Sequence, residues 1–150
     1  MEALLVSTVS VALAEIGDKT QLLALVLAAR FRRPWPIIAG ILLATLLNHG
    51  IAAQLGAWLS SMVSPQTLHW PVAASFIAMG MWILVPDKDD DAAGKYGYGA
   101  FLTSLIAFFL AEIGDKTQIA TVVLAANYSD VGMVVLGTTI GMLAANVPVV

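Results

Sequence analysis

The chain has 150 residues, of which 59% are hydrophobic and only 11% charged, and its mean hydropathy is +0.88. So few charged side chains cannot cover the outside of a water-soluble bundle, and a formal charge of -3 with scattered cations offers no basic field to nucleic acid. Cysteine is absent, which removes disulfides and thiolate metal ligands.

A helix needs about 20 apolar residues to cross roughly 30 Å of hydrocarbon, so the composition predicts an all-α integral membrane protein with the lipid bilayer as its surroundings. In chain order, apolar stretches occupy about 3–29, 35–60, 70–86, 99–127 and 130–150. The first contains Leu4 to Ala14, ending in Ala-Leu-Ala like a signal cleavage site, but Met1-Glu2 supplies no positive leader. We read it as a retained span. Trp35, Trp58, Trp70, Trp82, Tyr98 and Tyr128 fall at or near span ends, where amphipathic rings prefer the headgroup region.

Positive charge sets the expected orientation. Arg30, Arg32 and Arg33 follow the first span, and Lys88 and Lys95 lie in the loop after the third, so both loops are expected in the cytoplasm and the N-terminus outside. The loops around Ser60 to His69 and Asn127 to Asp130 contain no Lys or Arg and belong on the far side. The run Asp87, Asp89, Asp90 and Asp91 reads as a solvated loop.

The most informative feature is a repeat. Ala14-Glu15-Ile16-Gly17-Asp18-Lys19-Thr20-Gln21 recurs unchanged as Ala111-Glu112-Ile113-Gly114-Asp115-Lys116-Thr117-Gln118. The likeness continues through Val26 to Ala29 against Val123 to Ala126, and Asn48-His49 stands near where the second copy has Asn146. An odd number of spans separates the copies, so the second is expected upside down relative to the first, the plan of secondary transporters. The expected organisation is a first repeat of three helices over residues 1–86, an acidic cytoplasmic loop over 87–98 and a second repeat of two helices over 99–150. On this plan a sixth helix is missing from the second repeat, and a second copy of the chain is a compatible partner.

Each motif puts Glu, Asp and Lys in the middle of an apolar span, at about 2.5–3.5 kcal/mol per group on insertion scales. Glu15 with Lys19, and Glu112 with Lys116, are spaced for ion pairs along one helix face. Those pairs leave Asp18 and Asp115 uncompensated. Four carboxylates against two ammonium groups leave a deficit that one divalent cation cancels. Carboxylates joined by oxygen donors from Thr20, Thr117, Gln21, Gln118 and Asn48 or Asn146 form a hard site, suited to manganese, calcium or magnesium. Gly17 and Gly114 either open the helix locally, as in transporter broken helices, or permit close helix packing. Carboxylates that release a cation can take up protons in its place. His49 is a lone histidine with two readings, ligand or proton relay on one side and packing residue on the other. No phosphate-loop or hydrolase pattern is present, so no enzyme is expected.

Glu-x-Gly-Asp-Lys-Thr, present twice in a small hydrophobic chain, resembles the GDT family of cation/proton exchangers, the Golgi transmembrane protein 165-like group that includes bacterial manganese exporters. The resemblance spans nearly the whole chain. It implies six spans and export of manganese first, calcium second, from the cytosol, with protons as counter-ions and no prosthetic group. It also implies that Glu15, Asp18, Glu112 and Asp115 carry the cation while Lys19, Thr20, Lys116 and Thr117 shape the motif; the glutamines and asparagines come from the donor chemistry above. Short loops and the lack of a leader fit a bacterial inner membrane. Two other functions fit the residues: a cationic amino-acid exporter, whose substrate ammonium would meet the carboxylates, and a membrane assembly subunit locked by ion pairs.

Overall fold

The computed structural model describes residues 1–85 and 98–150, and these contain seven α-helices and no strand. The helices are α1 (Glu2–Glu15), α2 (Lys19–Phe31), α3 (Pro34–Met62), α4 (Pro65–Ile83), α5 (Ala100–Glu112), α6 (Lys116–Asn127) and α7 (Val131–Asn146), with a closing 3-10 turn over Val147–Val149. The acidic run Asp87 to Asp91, Lys88, Lys95 and the side chain of Trp82 lie outside the described residues.

The all-helical expectation holds, with two corrections. The spans expected as continuous over 3–29 and 99–127 are each broken at the repeated motif, α1 ending on Glu15 and α2 starting at Lys19, α5 ending on Glu112 and α6 starting at Lys116. The third span starts at Pro65 rather than near residue 70, so the expected loop from Ser60 to His69 shrinks to the few residues around Val63 and Ser64. Pro65 sits in the first turn of its helix, where a missing N–H costs nothing.

Both breaks have one cause. Gly17 and Gly114 take φ of +79° and +76°, left-handed values that side chains with a Cβ resist. A Cβ built on either glycine meets nothing within 4 Å. Of the two readings of these glycines, local opening of the helix is therefore correct and close packing is not. Each turn is clamped by its own motif: the Gly17 N–H donates to Gln21 Oε1 at 3.0 Å and the Gly114 N–H to Gln118 Oε1 at 2.7 Å.

Many large apolar side chains face outward, while small and polar ones share the interior with Leu27, Ile37, Ile41, Phe108, Leu124 and Met142. Along α1, Leu5, Val9, Leu13 and Ile16 are exposed while Ala3, Ser7, Val11 and Ala14 are buried. In α3, Leu46, Leu47, Ile51 and Leu55 are exposed while Gly40, Ala44, Thr45, Asn48, His49, Ala52 and Gly56 are buried. Such an exterior suits lipid, where tight contact between small residues replaces hydrophobic burial. Among the described residues, Pro34–Met62 and Val131–Val149 are each long and apolar enough to cross a membrane, with mean hydropathies of 1.7 and 1.6. Trp35 and Trp70 are 79% and 82% exposed, as rings in a headgroup belt would be.

Helix partners are exchanged between the two repeats. α1 packs along α7 and α5 along α3, while α1 also meets α6 and α5 meets α2. The shift that carries Glu15 onto Glu112 also carries Ser7 onto Ser104 and Gly40 onto Gly137. Gly40 lies against the Phe101 carbonyl and Ser104 Cβ of α5, and Gly137 against the Leu4 carbonyl and Ser7 Cβ of α1. The two crossings thus use equivalent residues.

Two outcomes follow for stability in detergent. A Cβ on Gly137 would stand 2.6 Å from the Leu4 carbonyl oxygen, whereas one on Gly50 meets open space. Gly137→Ala should lower stability by about 1–3 kcal/mol through overpacking, and Gly50→Ala should leave it unchanged or raise it by about 0.5–1 kcal/mol through helix propensity. Paired thermal melts check this, and an equal effect of both would contradict the packing described. For the break, Gly114→Ala should cost about 1–2 kcal/mol despite the empty space around it, with Gly114→Asn less harmful because Asn tolerates the left-handed region. A neutral alanine there would show that the turn is not held at positive φ.

Candidate functional site

Ending a helix at each glutamate and starting another just after each aspartate points the chemistry of both motifs at one buried place. Glu15 and Glu112 are 0% exposed, and Asp18, Asp115, Thr20, Lys116 and Thr117 are buried with them. Glu15 and Glu112 stand at helix C-termini, whose partial negative charge disfavours a carboxylate and favours a cation.

The ion pairs run between motifs. Lys19 Nζ lies 3.6 Å from Asp115 Oδ1, and Lys116 Nζ lies 3.8 Å from Asp18 Oδ1. The expected pairing along one helix face, Glu15 with Lys19 and Glu112 with Lys116, requires a continuous helical register that the break at glycine removes. The crossed arrangement changes the charge balance in detail. Each aspartate is matched by the opposite lysine, and the two glutamates are left as the uncompensated pair.

Each glutamate is held by one oxygen and leaves the other unused. Glu15 Oε2 accepts from the Thr20 hydroxyl and, at 3.3 Å, from Asn146 Nδ2. Glu112 Oε2 accepts from the Thr117 hydroxyl at 2.9 Å. Glu15 Oε1, Glu112 Oε1, Asp115 Oδ2 and Asn146 Oδ1 are buried without a hydrogen-bond partner, an expensive state for polar atoms unless something else satisfies them. One ligand atom each from Glu15, Glu112 and Asp115 lie within 4.8 Å of one another, a spacing that one cation can bridge.

The other expected donors fall into different places. Thr20 and Thr117 spend their hydrogens on holding the glutamates. Gln21 and Gln118 clamp the glycine turns, and Gln21 Nε2 also donates to the Ala145 carbonyl at 2.8 Å. Asn48 donates to the Phe109 carbonyl at 3.0 Å and so ties α3 to α5. The counterpart of Asn146 is His49, by the same shift that carries Glu15 onto Glu112. Just as Asn146 reaches Glu15, His49 Nε2 approaches Glu112 Oε2 to 3.9 Å. The sequence held that signal in the constant spacing of the repeat, which the likeness of Asn48 to Asn146 obscured.

Among the described residues, two clefts are lined in part by residues of the motifs. One is lined by Gly17, Asp18, Gln21, Leu22, Leu25 and Val149. The other is lined by Ser10, Leu13 and Ala14 of α1, Phe76 and Gly80 of α4, and Lys116 and Ala120 of α6.

Comparison with known proteins agrees with these features. The family model described as "Divalent cation/proton antiporter GDT1" matches residues 3–91 and 100–150. A Vibrio cholerae protein named "Putative manganese exporter" is 57% identical over 151 residues, covering 100% of this chain and 76% of that protein. The GDT1-like protein sll0615 of Synechocystis sp. is 29% identical over 165 residues, covering 91% of this chain and 76% of the relative. The GDT1-like protein 3 of Arabidopsis thaliana is 26% identical over 168 residues, covering 93% and 57%. No solved structure matches the chain. A transporter family makes the divalent cation a carried substrate rather than a resident cofactor, and makes the chain no enzyme. With a match that runs through both motifs and almost the entire sequence, the chain belongs to the GDT1 family of divalent cation/proton antiporters.

Proposed function

We propose that the protein exports Mn2+, with Ca2+ as the weaker substrate, across the cell membrane in exchange for protons, at a site made by Glu15, Glu112 and Asp115 with Asp18 and Asn146 beside them. The observation that carries this reading is the buried triad of ligand oxygens from both motifs, together with the unused Oε1 atoms of the two glutamates. The likeness to a protein named as a manganese exporter supports the choice of metal. Thr20, Thr117, Gln21 and Gln118 act as supports of the ligands and of the turns, and Asn48 as a helix tie.

The charge balance supports the exchange. With Lys19 and Lys116 matched to the aspartates, either one divalent cation or two protons neutralise Glu15 and Glu112, so one ion can replace the other without moving net charge. The exchanged helix partners and equivalent glycine crossings support an inverted pair of repeats, 1–86 and 99–150, meeting at mid-membrane. The exposed Arg30, Arg32 and Arg33 at the end of α2 support a cytoplasmic position for that turn and an N-terminus outside.

The test is flux of Mn2+ and Ca2+ in vesicles holding the full chain, with a pH gradient imposed. Wild-type Mn2+ flux should follow the pH gradient and be insensitive to membrane potential. Glu15→Gln, Glu112→Gln and Asp115→Asn should each lower it by roughly 100-fold or more, beyond the cost of losing an outer-shell partner. Flux that ignores the pH gradient, or that survives the substitutions in inserted protein, would sink the proposal.

A further inference from the structure

The two half-sites share the same motif residues but present different side chains to their glutamates from the neighbouring helix. Asn146 approaches Glu15 from α7, and the equivalent residue of α3, His49, approaches Glu112. The asparagine is engaged, its amide donating to Glu15 Oε2 and to the Met142 carbonyl at 3.0 Å. The histidine is not. It is 0% exposed, and neither Nδ1 nor Nε2 has a hydrogen-bond partner. A packing histidine in an apolar bundle would give its N–H to a nearby carbonyl, because an unsatisfied buried polar group is costly. The 3.9 Å between Nε2 and Glu112 Oε2 is too long for a hydrogen bond. It is, however, a distance that one ion can span, since two metal–ligand bonds of about 2.0–2.6 Å that meet at a wide angle reach across about 4 Å.

We infer that His49 is a nitrogen ligand of the transported cation, completing the Glu112 side of the site and selecting a first-row transition ion over calcium. The inference rests on the transport reading above and gives it a chemical basis for selectivity. Ca2+ and Mg2+ take oxygen ligands. Imidazole nitrogen is accepted by first-row ions, whose affinities for mixed nitrogen and oxygen sites begin their rise at Mn2+. One nitrogen among carboxylates therefore favours Mn2+ without building the nitrogen-rich or thiolate site that would trap copper or zinc. Ligand oxygens of Glu15, Glu112 and Asp115 lie within 4.8 Å of one another, and His49 adjoins that group through Glu112.

The readout is the electron-spin-echo modulation of Mn2+ bound to the purified full chain. Because the chain has two histidines, the experiment uses wild type grown with natural and with 15N-labelled histidine, together with His69→Ala, which alters only the exposed histidine. Expected is a 14N modulation that changes to the 15N frequency on labelling and persists in His69→Ala. In His49→Asn, which gives α3 the residue found at the equivalent place of α7, Mn2+ should bind without the modulation. Its preference for Mn2+ over Ca2+ should fall by about tenfold, the lower end of what removing a metal-supporting group costs. Mn2+ bound to wild type with no histidine modulation, or a modulation lost in His69→Ala, overturns the inference while leaving the transport proposal standing. Failure of wild type to bind Mn2+ at all overturns both. The labelled wild-type and His69→Ala spectra decide the matter even if His49→Asn does not fold.

Discussion

The crossed ion pairs between the two motifs are the constraint on which the rest of the molecule depends. An aspartate and a lysine in each of two apolar spans cannot face lipid, at about 2.5–3.5 kcal/mol apiece. Pairing Lys19 with Asp115 and Lys116 with Asp18 requires the motifs to meet, which places the start of α2 beside the start of α6 and the ends of α1 and α5 at the same site. Buried pairs of this kind add little net stability, because desolvation offsets the attraction. What they add is register: shifting one repeat against the other would separate both pairs at once and leave buried charges unmatched.

Bringing two broken helices to one point determines how the surrounding helices pack. With polar groups collected inside, the outer faces carry Leu, Val, Ile and Trp, and helix contact relies on close backbone approach. The glycine crossings at Gly40 and Gly137 provide it at equivalent places in the two repeats. Asn48 and Gln21 then link those helices to the site through the Phe109 and Ala145 carbonyls. The carboxylate geometry is therefore fixed by the same contacts that hold the bundle together.

Much of this was legible in the sequence. The apolar stretches and the missing surface charge gave an all-helical membrane protein, and the exact repeat marked Glu15, Asp18, Glu112 and Asp115 as the polar centre. The helix breaks were legible only as one of two readings, because a glycine in an apolar run fits both a hinge and a packing contact, and its φ separates the two. The ion pairs were misread for the same reason: spacing of four along an unbroken helix suggests Glu15 with Lys19, and a break at Gly17 ends that geometry. The role of Gln21 and Gln118 as turn clamps follows from the break and was hidden with it. The start of α4 was placed too late because Pro65 reads as a loop residue until its place in the first turn is seen.

The two motifs share a design but differ in surroundings, and the difference bears on how an ion would pass. The Lys19 side chain is 23% exposed and that of Lys116 is 5% exposed, the latter lying beside Phe76 and Gly80 of α4. Asp18 lines the cleft near Val149, and its partner Lys116 lines the cleft under α4. The two clefts therefore end on the two members of one ion pair, separated by 3.8 Å. On the transport reading, a cation moving between the clefts passes this pair on its way to Glu15 and Glu112, and the pair keeps Asp18 and Lys116 balanced while the glutamates exchange the ion for protons.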